Sequence, residues 1–220
     1  MSEVKAGYQS NELAESSASD LSANEFLVRQ MLSKTNTATL VKIVAVTNKD
    51  EVLPVGFVDV VPLVNQLDGY GNAIPHGIIH HLPYARIQGG TNAFIMDPKV
   101  GDIGIAVFAQ QDISSVKTNK KQSNPGSHRR NDYADGLYIG GFLNGTPVQY
   151  VRFTDDGIII LSPKEITVTA PNVTVNASDQ VTVNSPTAVC SGDVIASGIS
   201  LVHHVHGGVE PGGGNTGQPV

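Results

Sequence analysis

The sequence predicts an all-β chain made of two unlike parts, a small barrel followed by a narrow repeating strip. Three observations carry this. Short runs rich in β-branched residues recur from Thr37 to Phe153, each bounded by Gly, Pro, Asn or Asp. From Glu165 onward, apolar and polar residues alternate in short units set seven and then eight residues apart. All twelve Phe and Tyr residues lie at or before Phe153, so the second part lacks the large side chains that fill an ordinary core.

The bulk properties narrow the function. A chain of 220 residues is long enough to bury a core without disulfides, and its single cysteine, Cys190, has no partner within the chain. No run of about 18 apolar residues is present to span a bilayer as a helix. The start, "MSEVKAGYQSNELAESSASD", lacks the basic-then-apolar order of a signal peptide, which fits synthesis in the cytoplasm. The formal net charge is −6. Beyond Phe153 there is one basic residue, Lys164, against Asp155, Asp156, Glu165, Asp179, Asp193 and Glu210, so most of the excess charge lies in the second part. An acidic chain is a poor general binder of phosphate backbones.

Residues 1–36 read as a loosely tethered, Ser- and Ala-rich segment ending in a short amphipathic helix over 22–34, with Ser22 and Glu25 spaced as a capping box. The strand runs follow: "TATLVKIVAVT", "PVGFVDVVPLV", "GIIHHLPYARI", "NAFIMD" and "DIGIAVFAQQD". Five or so strands in about 75 residues predict a small closed barrel, of which the OB-fold is the common five-stranded form. A long exposed loop carrying Lys117, Lys120, Lys121, Arg129 and Arg130 comes next, read either as a solvated loop or as a basic contact patch. Strand character returns in "GLYIGGFLNG" and "VQYVRFTDDGIIILSP", which places this domain at 37–153.

Residues 154–202 have a different texture. Ile166 and Val168, Val173 and Val175, and Val181 and Val183 alternate with polar residues. Turn formers at Pro171–Asn172, Ser178–Asp179 and Ser185–Pro186 separate the pairs. Alternation puts the apolar residues of each short strand on one face. One copy of such a strip has too little apolar surface to close a core. Three copies wound about a common axis would enclose a narrow one and leave few strand edges exposed. The expectation is therefore an intertwined trimer, a triple-stranded β-helix; a single-chain β-helix of about four uncapped rungs is the alternative.

Three of the seven histidines, His203, His204 and His206, lie within four positions near the end, in the segment 203–220. In an extended strand His204 and His206 share a face while His203 points the other way. A trimer then brings six imidazoles to one axis. Six nitrogens fit an octahedron, which argues against a four-coordinate structural zinc and favours iron, with nickel or cobalt also compatible. A fully ligated ion has no open position, so the site would be structural and clip three chains together. Gly207 to Gly217 contains six glycines, a segment expected to fold back over the histidines as a compact tip. His76, His80, His81 and His128 receive no role; His80 and His81 sit in a strand run where one would face in and the other out.

"GDIGIAVFAQQDISSVK", "NPGSHRRNDYADGLYIGGFLNG" and "ISLVHHVHGGVEPGGGNTGQP" resemble the central spike of contractile-tailed bacteriophages, the baseplate assembly protein V type, and the likeness runs over about residues 37–217. The resemblance implies an N-terminal OB-fold, a triple-stranded β-helix and a metal-capped apex in a homotrimer on the axis of the tail baseplate. It implies one iron ion per trimer, held by His204 and His206 of each chain. It further implies docking on the baseplate hub protein, assembly in the host cytoplasm, residence in the virion at the tip of the tail tube, and transient passage through the host outer membrane when the sheath contracts. No catalytic residue, organic cofactor or nucleic-acid partner is expected. Three other readings compete. A trimeric tail-fibre or receptor-binding protein would share the β-helix. An OB-fold module for nucleic acid or sugar would use the aromatics and basic loop of the first part. A metal-dependent hydrolase would need an open metal position and a nearby acid or base, for which Glu210 is the sole close carboxylate in sequence.

Overall fold

The computed structural model describes residues 19–48, 52, 54–68, 70–208 and 212. The chain divides into two compact units, residues 1–163 and 164–220. The expected loose segment at 1–20 and the glycine-rich fold-back over 207–217 fall almost wholly outside the described residues.

The first unit opens with helix α1, Asp20–Ser33. It starts before the expected Ser22 because Ser19 is the cap: the Ser22 amide donates to Ser19 Oγ at 3.2 Å, and the Ser19 amide donates to Ser22 Oγ at 2.9 Å. Ser22 thus fills the reciprocal place of a capping box, and Glu25 instead pairs with Arg29 one turn on at 2.6 Å.

The strands are β1 (Ala38–Val46), β2 (Phe57–Pro62), β3 (Gln66–Leu67), β4 (Ala73–Ile74), β5 (Ile79–Pro83), β6 (Ile87–Gly89), β7 (Asn92–Phe94), β8 (Ile103–Phe108), β9 (Gly136–Gly140), β10 (Tyr150–Thr154) and β11 (Gly157–Leu161), with a short helix α2 (Ser114–Asn119) between β8 and β9. Five of them form one antiparallel sheet in the order β5-β2-β1-β8-β9. The sheet curls far enough for its edges to meet, and Tyr84, just after β5, bridges Tyr138 of β9 in parallel. The other strands form separate hairpins, β3 with β4, β6 with β7 and β10 with β11. The run "NAFIMD" is therefore not a barrel strand: its first residues pair locally with Ile87–Gly89, and the fifth sheet strand comes from "GLYIG".

Period-two burial builds the core. Val41 and Ile43, Val58 and Val60, Ala106, and Tyr138 point inward from successive sheet strands, joined by Ile79, Leu82 and Tyr84. Alternation fails in β5, where His80 and His81 are both exposed. The register shifts between Val58 and Val60, and His81 takes a positive φ of 64°. That bulge turns His81 out to stack on Phe57 with ring centroids 3.7 Å apart, while His80 Nδ1 lies 2.7 Å from Asp59 Oδ2.

Tyr138 packs against β8 with little room beneath its ring. A Cβ added at Gly104 would sit 2.5 Å from the Tyr138 ring and 2.6 Å from the Ile139 carbonyl.

The excursion from β8 to β9 is pinned by charge. Arg129 Nε donates to Asp135 Oδ2 at 2.6 Å, and Arg129 Nη2 donates to Asp135 Oδ1 and Asp112 Oδ1, both at 2.9 Å. Asp112 also accepts from the Ser114 amide and the Ser127 hydroxyl, and Asp135 from the Ile113 amide. Ser114 and Ser127 hold the Asp112 carboxyl down at about 2. The Arg129 bond holds Asp135 below the ordinary carboxylate range. Arg129 is thus consumed by a fixed loop and is unavailable to a basic contact patch.

Two outcomes follow for this unit. Gly104→Ala should cost about 1–3 kcal/mol in urea unfolding through overpacking; an unchanged midpoint would show that the Tyr138 ring yields freely. Both aspartates have depressed folded-state values, so their stabilisation is present above the ordinary carboxylate value of 3.8 and is lost as the pH falls through the folded one, near 2 for Asp112. Arg129→Ala should cost about 3 kcal/mol and move acid unfolding, followed by circular dichroism, to higher pH; an unmoved acid midpoint would contradict the clamp.

Candidate metal centre

The histidines follow two short strands of the second unit, β12 (Ile195–Ala196) and β13 (Ile199–Ser200). Ser197 and Gly198 join them with φ of 50° and 83°, the positive pair that a tight two-residue hairpin requires. The chain does not continue extended from β13. It turns over Leu201–His203, so the expected straight strand carrying His204 and His206 is replaced by a turn followed by residues outside regular secondary structure.

Hydrogen bonds define that turn. The His203 amide donates to Ser200 Oγ at 2.7 Å, and the His204 amide to the Ser200 carbonyl at 3.2 Å. The Val202 amide donates to Asp193 Oδ1 at 3.1 Å, and the Leu201 amide to the Val194 carbonyl at 2.8 Å. The Asp193 carboxyl is held below the ordinary range, first by the Ser200 hydroxyl and then by the Val202 amide, against a smaller opposing effect of burial.

The histidine rings come together without the shared strand. His204 and His206 have ring centroids 5.0 Å apart and meet edge to face at 81°. His204 Nδ1 lies 2.9 Å from the Ser200 carbonyl and 3.0 Å from the Leu201 carbonyl. A carbonyl only accepts, so Nδ1 carries the proton and Nε2 keeps the lone pair that a metal needs. Both side chains are exposed. Adjacent, solvent-facing imidazoles, one with its ligating nitrogen free of a backbone bond, fit the donor chemistry of a metal bound between chains. Among the described residues of one chain, no three His, Cys, Asp or Glu side chains gather to hold an ion.

Of the other histidines, His80 faces Asp59, His81 stacks on Phe57, and His76 meets the Tyr133 ring edge-on at 5.8 Å. Sequence reasoning named the histidine pair and did not name Asp193 or Ser200. Their signal was Ser197–Gly198 between "VIA" and "IS", a two-residue hairpin signature that places a preceding aspartate beside the following turn.

No curated protein matches the chain. Residues 198–220, which contain Ser200 and the three clustered histidines, match the family model described as the GpV apex motif, and this supports a phage baseplate central spike protein of the gpV type.

Proposed function

We propose that the chain is the trimeric central spike of a contractile phage tail, an OB-fold domain followed by a triple-stranded β-helix and an iron-holding apex. One observation carries the trimer. Every residue from 163 to 199 is exposed in the single chain. That run includes Ile166 at 55%, Val168 at 71%, Val173 at 63% and Val175 at 70%. No strand is assigned between Leu161 and Ile195. A long strip without strand pairing and with its valines in water is the form of one strand set awaiting partner copies. Burying each such side chain is worth roughly 1.5–3 kcal/mol, and a threefold assembly repeats that gain along the whole strip.

The end of the first unit supports the same reading. In the β10–β11 hairpin, Val151, Phe153, Ile158 and Ile160 are exposed on one face, while Ile159 and Leu161 are exposed on the other. The run "GIIIL" is the continuous apolar pattern of a strand covered on both faces. The OB reading of the barrel rests on the order β5-β2-β1-β8-β9 and on the parallel contact of its edges at Tyr84 and Tyr138.

The spike works through stiffness and shape. Interlocked strands resist bending, and an acidic, aromatic-free strip offers few groups to lodge in a membrane interface as the needle passes through the host outer membrane. The OB domain would seat the spike on the baseplate hub. At the tip, His204 and His206 of three chains would supply six imidazoles. They would hold iron, which would supply a structural cross-link between the three chains. The chain itself orients the rings through the turn at Leu201–His203.

Val175→Asp should place three charges against one another on the axis and abolish the trimer, read by sedimentation; a normal trimer would show that the inward face is the other one. His204→Ala or His206→Ala should remove three ligands at once, so that elemental analysis finds iron lost while the melting of the barrel is unchanged. Iron retained in both variants would contradict the ligand assignment.

A further inference from the structure

The turn that carries the histidines is built more firmly than its exposure requires. Asp193 lies a hairpin away in sequence, yet its Oδ1 accepts the Val202 amide at 3.1 Å, and its carboxyl also binds the Ser200 hydroxyl. Ser200 then works in both directions: its Oγ accepts the His203 amide at 2.7 Å, and its carbonyl takes both the His204 amide and, at 2.9 Å, His204 Nδ1. A continuous chain of bonds therefore runs from one carboxylate to one imidazole.

We infer that Asp193 and Ser200 are positioning residues for the tip: they fix the turn so that His204 keeps its proton on Nδ1 and presents Nε2 as the ligating nitrogen. This rests on the proposed metal reading of His204. The chemistry is that of an outer shell. A histidine ligand whose second nitrogen donates to a fixed carbonyl has its tautomer and ring orientation set before the ion arrives. Were the turn loose, the imidazole would have to select its tautomer and rotamer on binding, and that ordering would weaken the site. Among the described residues no backbone carbonyl ties His206 in this way, so the outer shell is supplied to one of the two ligands. Neither Asp193 nor Ser200 needs to touch the ion.

The test uses the full chain, histidine-labelled with nitrogen-15, as wild type, Asp193→Ala, Asp193→Asn and Ser200→Ala. Without metal, the imidazole nitrogen shifts should report a predominantly Nδ1-protonated His204 in the wild type and in Asp193→Asn, whose amide oxygen still accepts. The two alanine variants should show a mixture of tautomers. Titrated anaerobically with ferrous iron, both alanine variants should bind about 10–100-fold more weakly than the wild type, with Asp193→Asn near the wild-type value. Ser200→Ala removes one hydroxyl only and keeps the test decisive if Asp193→Ala fails to assemble. A wild type that binds iron, with both alanine variants equal to it in tautomer and affinity, would overturn this inference and leave the metal reading standing. A wild-type trimer that binds no iron would overturn the metal reading, and this inference with it.

Discussion

Hydrophobic surface that one chain cannot bury is the constraint on which the C-terminal unit depends. Along residues 165–193 the valines and isoleucines alternate with threonine and asparagine as in a half-buried strand, yet each stands in solvent and no strand partner is present within the chain. Water satisfies the backbone of such a segment, but it does not relieve the apolar row. The proposed trimer would supply that burial. The small size of the side chains suits three strands packed close to a shared axis, where aromatic rings would not fit.

The N-terminal unit solves the opposite problem. Its sheet closes on itself at Tyr84 and Tyr138, and its core is sealed by side chains of one chain: Val41, Ile43, Val58, Val60, Leu82 and Ala106. The long excursion between β8 and β9 is held by the Arg129 fork to Asp112 and Asp135. Those carboxylates are buried, so removing the guanidinium would leave charge without compensation, and the loop's geometry is tied to one residue. A basic side chain that the sequence reading left between a solvated loop and a contact patch is here a structural bolt.

Much of this was legible in the sequence, because period-two patterning reports burial directly. β1, β2, β5 and β8 lie where the β-branched runs placed them. What escaped had non-local causes. "NAFIMD" has strand composition, but whether it joins the barrel or folds back on Ile87–Gly89 is decided by a turn at Gly90–Thr91 and not by propensity. The bulge at His80–His81 depends on a register shift against β2, which alternation along one strand does not encode. At the tip, the histidine pair was visible as a spacing, while the turn that unites its rings depends on Asp193 reaching across a hairpin. The strand character expected between Leu161 and Ile195 is not formed in the single chain for a related reason: a strand needs a partner to hydrogen-bond with, and the chain offers this segment none.

The proposed needle and the proposed metal clip both presuppose that three copies come together. The most direct measurement is the mass of the full chain in solution by sedimentation equilibrium, with elemental analysis of the same sample. The account predicts a single species of three times the 23.1 kDa chain mass, holding one iron ion. A stable, soluble monomer with residues 163–199 open to water would contradict it.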